Sequence, residues 1–158
     1  MDKSLRPAVI AGNWKMNKLR GEARALVEGI LPALAKADCR VIACVPFTDL
    51  ETVLEAARGS RLHIGAQNCH WAQSGAYTGE ISAPMLAEMG VEYVILGHSE
   101  RRQYFGETDA TVNARLKAAL ASGLRVILCV GETLEQRQRG ITAPVCSMQV
   151  RSALYEIP

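Results

Sequence analysis

The chain has 158 residues, of which 49% are hydrophobic and 22% are charged, a composition typical of a globular protein with a substantial core. Eighteen basic and sixteen acidic residues leave a net charge of +2, and aromatic residues make up only 5%. This balance excludes the strongly basic surface of a nucleic-acid-binding protein and indicates no anionic membrane as a partner.

The predicted strands are short apolar runs that end at Gly, Pro or polar residues. In chain order they are Ala8–Ala11, Val41–Val45, Leu62–Ala66, Val91–Leu96 and Leu124–Val130.

Helical patterns separate these strands. Leu26, Ile30 and Leu34 give the first helix its apolar face, over residues 22–36. Thr48 with Glu51 predicts a capping box for the second helix. Further helices are predicted from Ser82 to Gly90, from Ser99 onward, from Asp109 to Ala121 and after Gly131.

The alternation of continuous apolar strands with helices predicts an α/β fold in which helices cover a parallel sheet. The periodicity alone leaves open whether that sheet is open or closed into a barrel.

The cysteines and the N-terminus point to a cytoplasmic protein. The cysteine count is odd, most cysteines have apolar neighbours and no CxxC pair occurs, which predicts reduced thiols and no metal site. Residues 1–4 lack the apolar core of a signal peptide, and no apolar run approaches the ~20 residues of a membrane span. The cysteines are Cys39, Cys44, Cys69, Cys129 and Cys146.

Polar side chains follow four of the predicted strands, at the edge where parallel α/β sheets place their chemistry. Each has a simpler explanation when taken alone: a surface position for Lys15, turns for Asn13 and Gln67, and helix starts for Glu100 and Glu132. Together they surround a histidine with a lysine and neutral amides, which suits a small anionic substrate with a carbonyl group. The full set is Asn13, Trp14, Lys15, Gln67, Asn68, His98, Glu100 and Glu132.

His98 is the most informative of these residues, although a purely structural role is an open alternative. It lies between a buried strand and a helix that begins at Ser99. The N–H groups of a helix N-terminus favour neutral imidazole over the positive form. A neutral imidazole can donate a hydrogen bond to a substrate oxygen, which is an electrophilic role.

Five motifs in order and at matching spacing resemble the triosephosphate isomerase family. They are Ala11–Asn17, Gly65–Asn68, Gly75–Ser82, Gly97–Arg102 and Cys129–Thr133. The resemblance covers roughly residues 6–140 and implies a (β/α) barrel of the TIM type. It also implies interconversion of dihydroxyacetone phosphate and glyceraldehyde 3-phosphate through an enediolate, in glycolysis and gluconeogenesis, without a cofactor or metal.

The resemblance also implies roles for particular residues. Lys15 would hold the substrate phosphate and polarise the carbonyl, and Asn13 would position the substrate. His98 would donate to the carbonyl and Glu100 would hold Lys15, while Cys129 would pack behind the site.

The family resemblance further implies a cytoplasmic homodimer. The Gly-flanked loop Gly75–Ser82 would project into a second subunit. Thr78 at its tip would reach toward the Asn13–Lys15 region of that subunit.

The length predicts only part of a barrel, since a full (β/α)8 barrel takes about 250 residues. We expect about five βα units in residues 1–140 and a divergent tail in residues 141–158, so that the chain is truncated or altered after Gly140. Glu156 in that tail is the candidate for the general base, which in the family follows the sixth strand.

Two alternatives follow from the missing units. One is a catalytically inactive half-barrel that binds phosphate weakly through Lys15, and the other is a structural fragment that depends on a partner. In either case, we expect the first and fifth strands to be open edges whose inner faces expose apolar residues.

Overall fold

The computed structural model describes residues 7–157 and contains one five-stranded parallel sheet. Residues 1–6, which include the stretch assessed for a signal peptide, lie outside the described residues. The strands pair in chain order, β1-β2-β3-β4-β5. Their bounds are β1 Val9–Asn13, β2 Arg40–Val45, β3 Leu62–Ala66, β4 Tyr93–Leu96 and β5 Arg125–Leu128.

Helices alternate with the strands and cover one face of the sheet, which confirms the predicted α/β fold. The last two helices follow β5. None of the described helices has the length and apolarity that crossing a bilayer requires. The helices are α1 Arg20–Leu34, α2 Leu50–Ala56, α3 Ala83–Glu88, α4 Ser99–Tyr104, α5 Asp109–Ala121, α6 Leu134–Gln138 and α7 Thr142–Ala153.

The start of α3 follows its sequence signal, whereas the start of α2 does not. Ser82 caps α3, where its hydroxyl accepts a hydrogen bond from the Met85 N–H at 3.4 Å. The capping box predicted at Thr48 is wrong, because a 3₁₀ turn over Phe47–Asp49 precedes α2. Thr48 lies inside this tight turn and not at the extended position that an N-cap requires.

The main core lies between the sheet and its helices. Alternate side chains of the strands, such as Val45, Val94 and Leu96, meet Val27 of α1 and Val112 of α5, all of them fully buried. Burying one such side chain is worth about 1.5–3 kcal/mol relative to exposure. This core holds the strand ends in register, and the predicted site residues follow directly after those ends.

The opposite, inner face of the sheet carries a second apolar cluster. Ile42 of β2 and Ile95 of β4 are 1% and 4% exposed and pack with Cys44 and Tyr93. The inner face is therefore covered at β2 and β4, because inward side chains of alternate strands meet each other. At the edge strand β1 the expected exposure is found at Val9, which shares the inner face with Ile42 by register and is 49% exposed. At the other edge strand, β5, the inward Ile127 is instead partly buried against the cluster.

Residues 142–157 are an integral part of this fold. Helix α7 packs on α5, and the Asn113 side chain of α5 donates hydrogen bonds to the carbonyls of Ala153 and Tyr155 at 2.9 and 2.8 Å. Val145 and Ala153 bury the apolar side of α7. The segment predicted as a divergent tail is thus a docked helix.

Candidate active site

Three of the predicted site residues meet at the C-terminal edge of the sheet. The Lys15 ammonium, after β1, lies 2.9 Å from a carboxylate oxygen of Glu100 in α4. The other oxygen of Glu100 lies 3.4 Å from Nδ1 of His98, which follows β4. Because all five strands are parallel, their ends share one edge, and residues far apart in the sequence form one cluster there.

Lys15 has an unusual backbone conformation that its neighbours hold in place. Its φ is +56°, a region that costs a residue other than glycine about 1–3 kcal/mol. The Lys15 N–H donates to the side-chain oxygen of Asn13 at 3.0 Å. The Gln67 amide donates to the carbonyls of both Lys15 and Cys44, at 2.9 and 3.0 Å.

Gln67 therefore has a larger role than the sequence indicated. Taken alone it is expected to be a turn residue, yet it links the ends of β1, β2 and β3 through two carbonyls. Its position directly after a strand was the feature of the sequence that indicated a role in the site. The sequence does not show which backbone atoms it binds, because its partners are distant in the chain.

The hydrogen bonds of His98 define its tautomer. His98 is the N-cap of α4, and the Glu100 N–H donates to its Nδ1 at 3.3 Å. The Glu100 carboxylate lies at a similar distance but already binds the Lys15 ammonium, whereas the amide of a helix N-terminus needs an acceptor. Nδ1 is thus the acceptor, and the proton of the neutral ring lies on Nε2.

Glu100 holds Lys15 and remains ionised. The hydrogen bond from Lys15 is the main cause that lowers the pKa of the Glu100 carboxyl below its ordinary value, and the charge of Lys15 acts in the same direction. Partial burial opposes them. Glu100 thus holds the Lys15 ammonium through its carboxylate and the His98 ring through its backbone N–H.

Gly97 brings the His98 backbone close to the end of β5. Its φ is +74°, and a Cβ at this position would lie 3.0 Å from the Cys129 carbonyl oxygen and 3.3 Å from Val112. Arg102 also donates to the Gly97 carbonyl at 2.8 Å. Only glycine fits this conformation and this space.

Cys129 packs beside this segment. Its N–H donates to the carbonyl of Leu96 at 2.9 Å, and it contacts the inner apolar cluster. Burial raises the pKa of the Cys129 thiol, so the neutral thiol dominates and nucleophilic chemistry is disfavoured.

The two remaining carboxylates have other partners. Glu132 accepts hydrogen bonds from Thr142 and Arg137, both at 3.2 Å. Glu156 binds the Lys117 ammonium of α5 at 2.9 Å, which lowers the pKa of its carboxyl. No contact within residues 7–157 joins Glu156 to His98, so the structure does not bring the candidate base into the cluster.

The loop that carries Thr78 projects from the fold, and aromatic side chains pack together below its tip. Gly75 and Gly79 both have positive φ values, of 127° and 90°, and Thr78 between them is exposed. Below the tip, the Tyr77 ring lies 4.3 Å from the ring of the buried His70.

Together these features define a class of protein. An imidazole and an ammonium at the C-terminal edge of a parallel βα sheet are the arrangement typical of barrel-type α/β proteins, which place their functional groups at this edge.

Comparison with known proteins identifies the family. The model of the family described as triosephosphate isomerase matches residues 8–158. The chain is similar to the triosephosphate isomerase of Synechococcus sp. (strain JA-3-3Ab), with 59% identity over 87% of this chain and 56% of the relative. It is 55% identical to that of Acetivibrio thermocellus, over 94% of this chain and 59% of the relative. The chain belongs to the triosephosphate isomerase family.

A solved structure agrees with this assignment. The crystal structure of triosephosphate isomerase from Bartonella henselae matches with a TM-score of 0.90 and 42% identity, over 97% of this chain and 63% of that one. The fold is therefore that of a partial TIM-type (β/α) barrel. The chain spans somewhat more than half the length of the two curated relatives.

The family match continues past Gly140, where the sequence analysis ended the resemblance, and runs through residue 158. Four of the five recognised motifs lie at strand ends, and the fifth is the loop Gly75–Ser82. Residues 142–153 form an amphipathic helix. Many unrelated helices share this pattern, so it does not identify a family.

Proposed function

We propose that this protein interconverts dihydroxyacetone phosphate and glyceraldehyde 3-phosphate through an enediolate, in glycolysis and gluconeogenesis. The observation that carries the proposal is that Glu100 binds both groups: its carboxylate holds the Lys15 ammonium, and its backbone N–H donates to Nδ1 of His98 and leaves the Nε2–H free to donate. A neutral histidine electrophile is the established pattern in triosephosphate isomerases.

Each group has a role in this reaction. The Lys15 ammonium binds the substrate phosphate and attracts electron density toward the carbonyl oxygen. The Nε2–H of His98 donates to that oxygen, where negative charge develops when a general base takes the proton of the adjacent carbon. In the family this base follows the sixth strand, and the described residues hold five strands, so the reaction requires a carboxylate supplied from outside them. Asn13 and Gln67 maintain the conformation of Lys15, and Glu100 orients its ammonium.

We do not assign proton abstraction to Glu156. Its carboxylate is paired with Lys117 on the helical layer, which lowers its pKa and so its strength as a base.

The test is turnover by the purified chain, with His98→Gln prepared in parallel as the control for contaminating enzyme. We expect interconversion of the two triose phosphates to fall by about 10²-fold or more in the variant, because one preorganised donor to the developing oxyanion is typically worth that much. Turnover equal in both preparations would refute the role of His98. No turnover in either, with binding of a phosphate analogue retained, would favour a phosphate-binding half-barrel.

We further propose a homodimer in which Thr78 contacts the Asn13–Lys15 region of a second copy. The exposed position of Thr78 on a loop with a packed base supports this contact. Sedimentation should show Thr78→Arg shifting the protein toward monomer. A state that is monomeric in both forms, at concentrations used for assay, would contradict the proposal.

A cytoplasmic location completes the proposal. All five cysteines lie within the described residues and are free thiols, as expected in a reducing compartment.

A further inference from the structure

Gln149, on the buried side of α7, binds both backbone polar atoms of Gly131 in the segment after β5. Its Oε1 accepts from the Gly131 N–H at 2.8 Å, and its Nε2 donates to the Gly131 carbonyl at 3.0 Å. Gln149 is only 9% exposed, so these two bonds are largely shielded from water. The Gly131 N–H requires an acceptor and the Gly131 carbonyl requires a donor, and only one orientation of the Gln149 side-chain amide supplies both.

The segment that Gln149 holds lies against Gly97, the residue that precedes His98. Cys129, two residues before Gly131, places its carbonyl oxygen 3.0 Å from the position of a Cβ on Gly97. Gly97 directly precedes His98, and no other residue separates the two segments at this point. Since packed interiors transmit small displacements, a shift of residues 129–131 moves the backbone of His98.

The position of α7 does not depend on these two bonds alone. Asn113 binds the carbonyls of Ala153 and Tyr155, and Val145 buries the apolar side of the helix. Thr142 adds a hydrogen bond to Glu132. Loss of the Gln149 amide therefore leaves α7 docked while it releases the Gly131 peptide.

We propose that Gln149 is a positioning residue that sets the place of His98 through Gly131 and Cys129. Its catalytic consequence rests on the proposed function, because it presumes that His98 is the electrophile. The geometric part concerns only the placement of the His98 ring and can be measured without turnover.

The variant Gln149→Glu distinguishes the hydrogen bonds of residue 149 from its contribution to core packing, because it keeps the side-chain volume and changes only the hydrogen bonds. An ionised carboxylate accepts from the Gly131 N–H but opposes the Gly131 carbonyl with a second acceptor. A protonated carboxyl group again offers one donor and one acceptor, and burial beside a carbonyl favours that form. The variant should therefore regain the native contacts as the pH falls.

Two further variants are matched controls. Gln149→Met keeps the volume and removes both hydrogen bonds at every pH. Met148→Glu adds the same charge one residue away, at a position that is 57% exposed.

The experiment compares nitrogen-15 NMR signals of the Gly131 amide and the His98 ring in wild type and the three variants, each at the same pH from 7.5 to 5. In Gln149→Glu both signals should differ from wild type at pH 7.5 and converge with it on acidification. In Gln149→Met they should differ throughout, and in Met148→Glu they should follow wild type. At pH 7.5, kcat of Gln149→Glu should fall by about tenfold, which is ~1.4 kcal/mol of barrier, with KM little changed.

A Gly131 signal that shifts while the His98 ring stays at its wild-type position would overturn the proposal. So would variants at Gln149 that fail to fold at every pH by circular dichroism, since that result makes Gln149 a folding residue. Absence of turnover in wild type would refute the proposed function instead, and the ring signals would still decide where Gln149 acts.

Discussion

Replacing Gly97 by alanine is expected to lower the free energy of unfolding by about 2–5 kcal/mol. The new Cβ would lie 3.0 Å from the Cys129 carbonyl oxygen, 3.1 Å from a guanidinium nitrogen of Arg102 and 3.3 Å from Val112. Overpacking of this kind costs about 1–3 kcal/mol. The φ of +74° adds about 1–2 kcal/mol for a residue with a Cβ.

Gly106→Ala is the matched control, because it separates strain from crowding. Gly106 has a φ of +65°, but no atom lies within 4 Å of its added Cβ. The free energy of unfolding of Gly106→Ala should therefore fall only by the backbone strain, which is about 1–2 kcal/mol. Urea unfolding monitored by circular dichroism gives both values, provided that the slope against denaturant stays unchanged. Equal destabilisation of the two variants would refute the close approach of Gly97 to the end of β5.

Three further outcomes follow from the site. Lys15→Ala should abolish calorimetric binding of a phosphate analogue, whereas Lys18→Ala should retain it; equal affinities would remove Lys15 from the site. Burial raises the pKa of the Cys44 thiol to about 12, so iodoacetamide at pH 8 should label Cys44 more slowly than the less buried Cys39, as read by mass spectrometry. The pKa of Glu100 is lowered mainly by Lys15, so its stabilising effect is present above the ordinary carboxyl pKa and lost as the pH falls through the lowered value. Glu100→Gln should accordingly be less stable than wild type at pH 7, and the difference should shrink toward pH 3; a constant difference would contradict the ion pair.

Local patterns were sufficient to predict most of the elements. The bounds of β3 at Leu62–Ala66 and of α5 at Asp109–Ala121 agree with the structure, because apolar runs, glycine stops and capping residues act over a few neighbouring positions. Short-range patterns were also sufficient to predict that Lys15, His98 and Glu100 follow strand ends. Their meeting at one edge followed from the parallel alternation of strands and helices.

The sequence could not predict which distant groups would bind each other. Gln67 supports Lys15 from 52 residues away, and Glu156 finds Lys117 across 39 residues. The protection of the inner apolar face likewise required side chains of β2 and β4 to meet.

The sequence by itself determined the order of strands and helices, the edge that carries the chemistry, and the family. Only the tertiary structure decided the positive φ of Lys15, the tautomer of His98, and the two bonds of Gln149 to Gly131. The physical reason is that hydrogen bonds and close contacts depend on the position of single atoms. Periodicity, in contrast, specifies only which face of an element is buried.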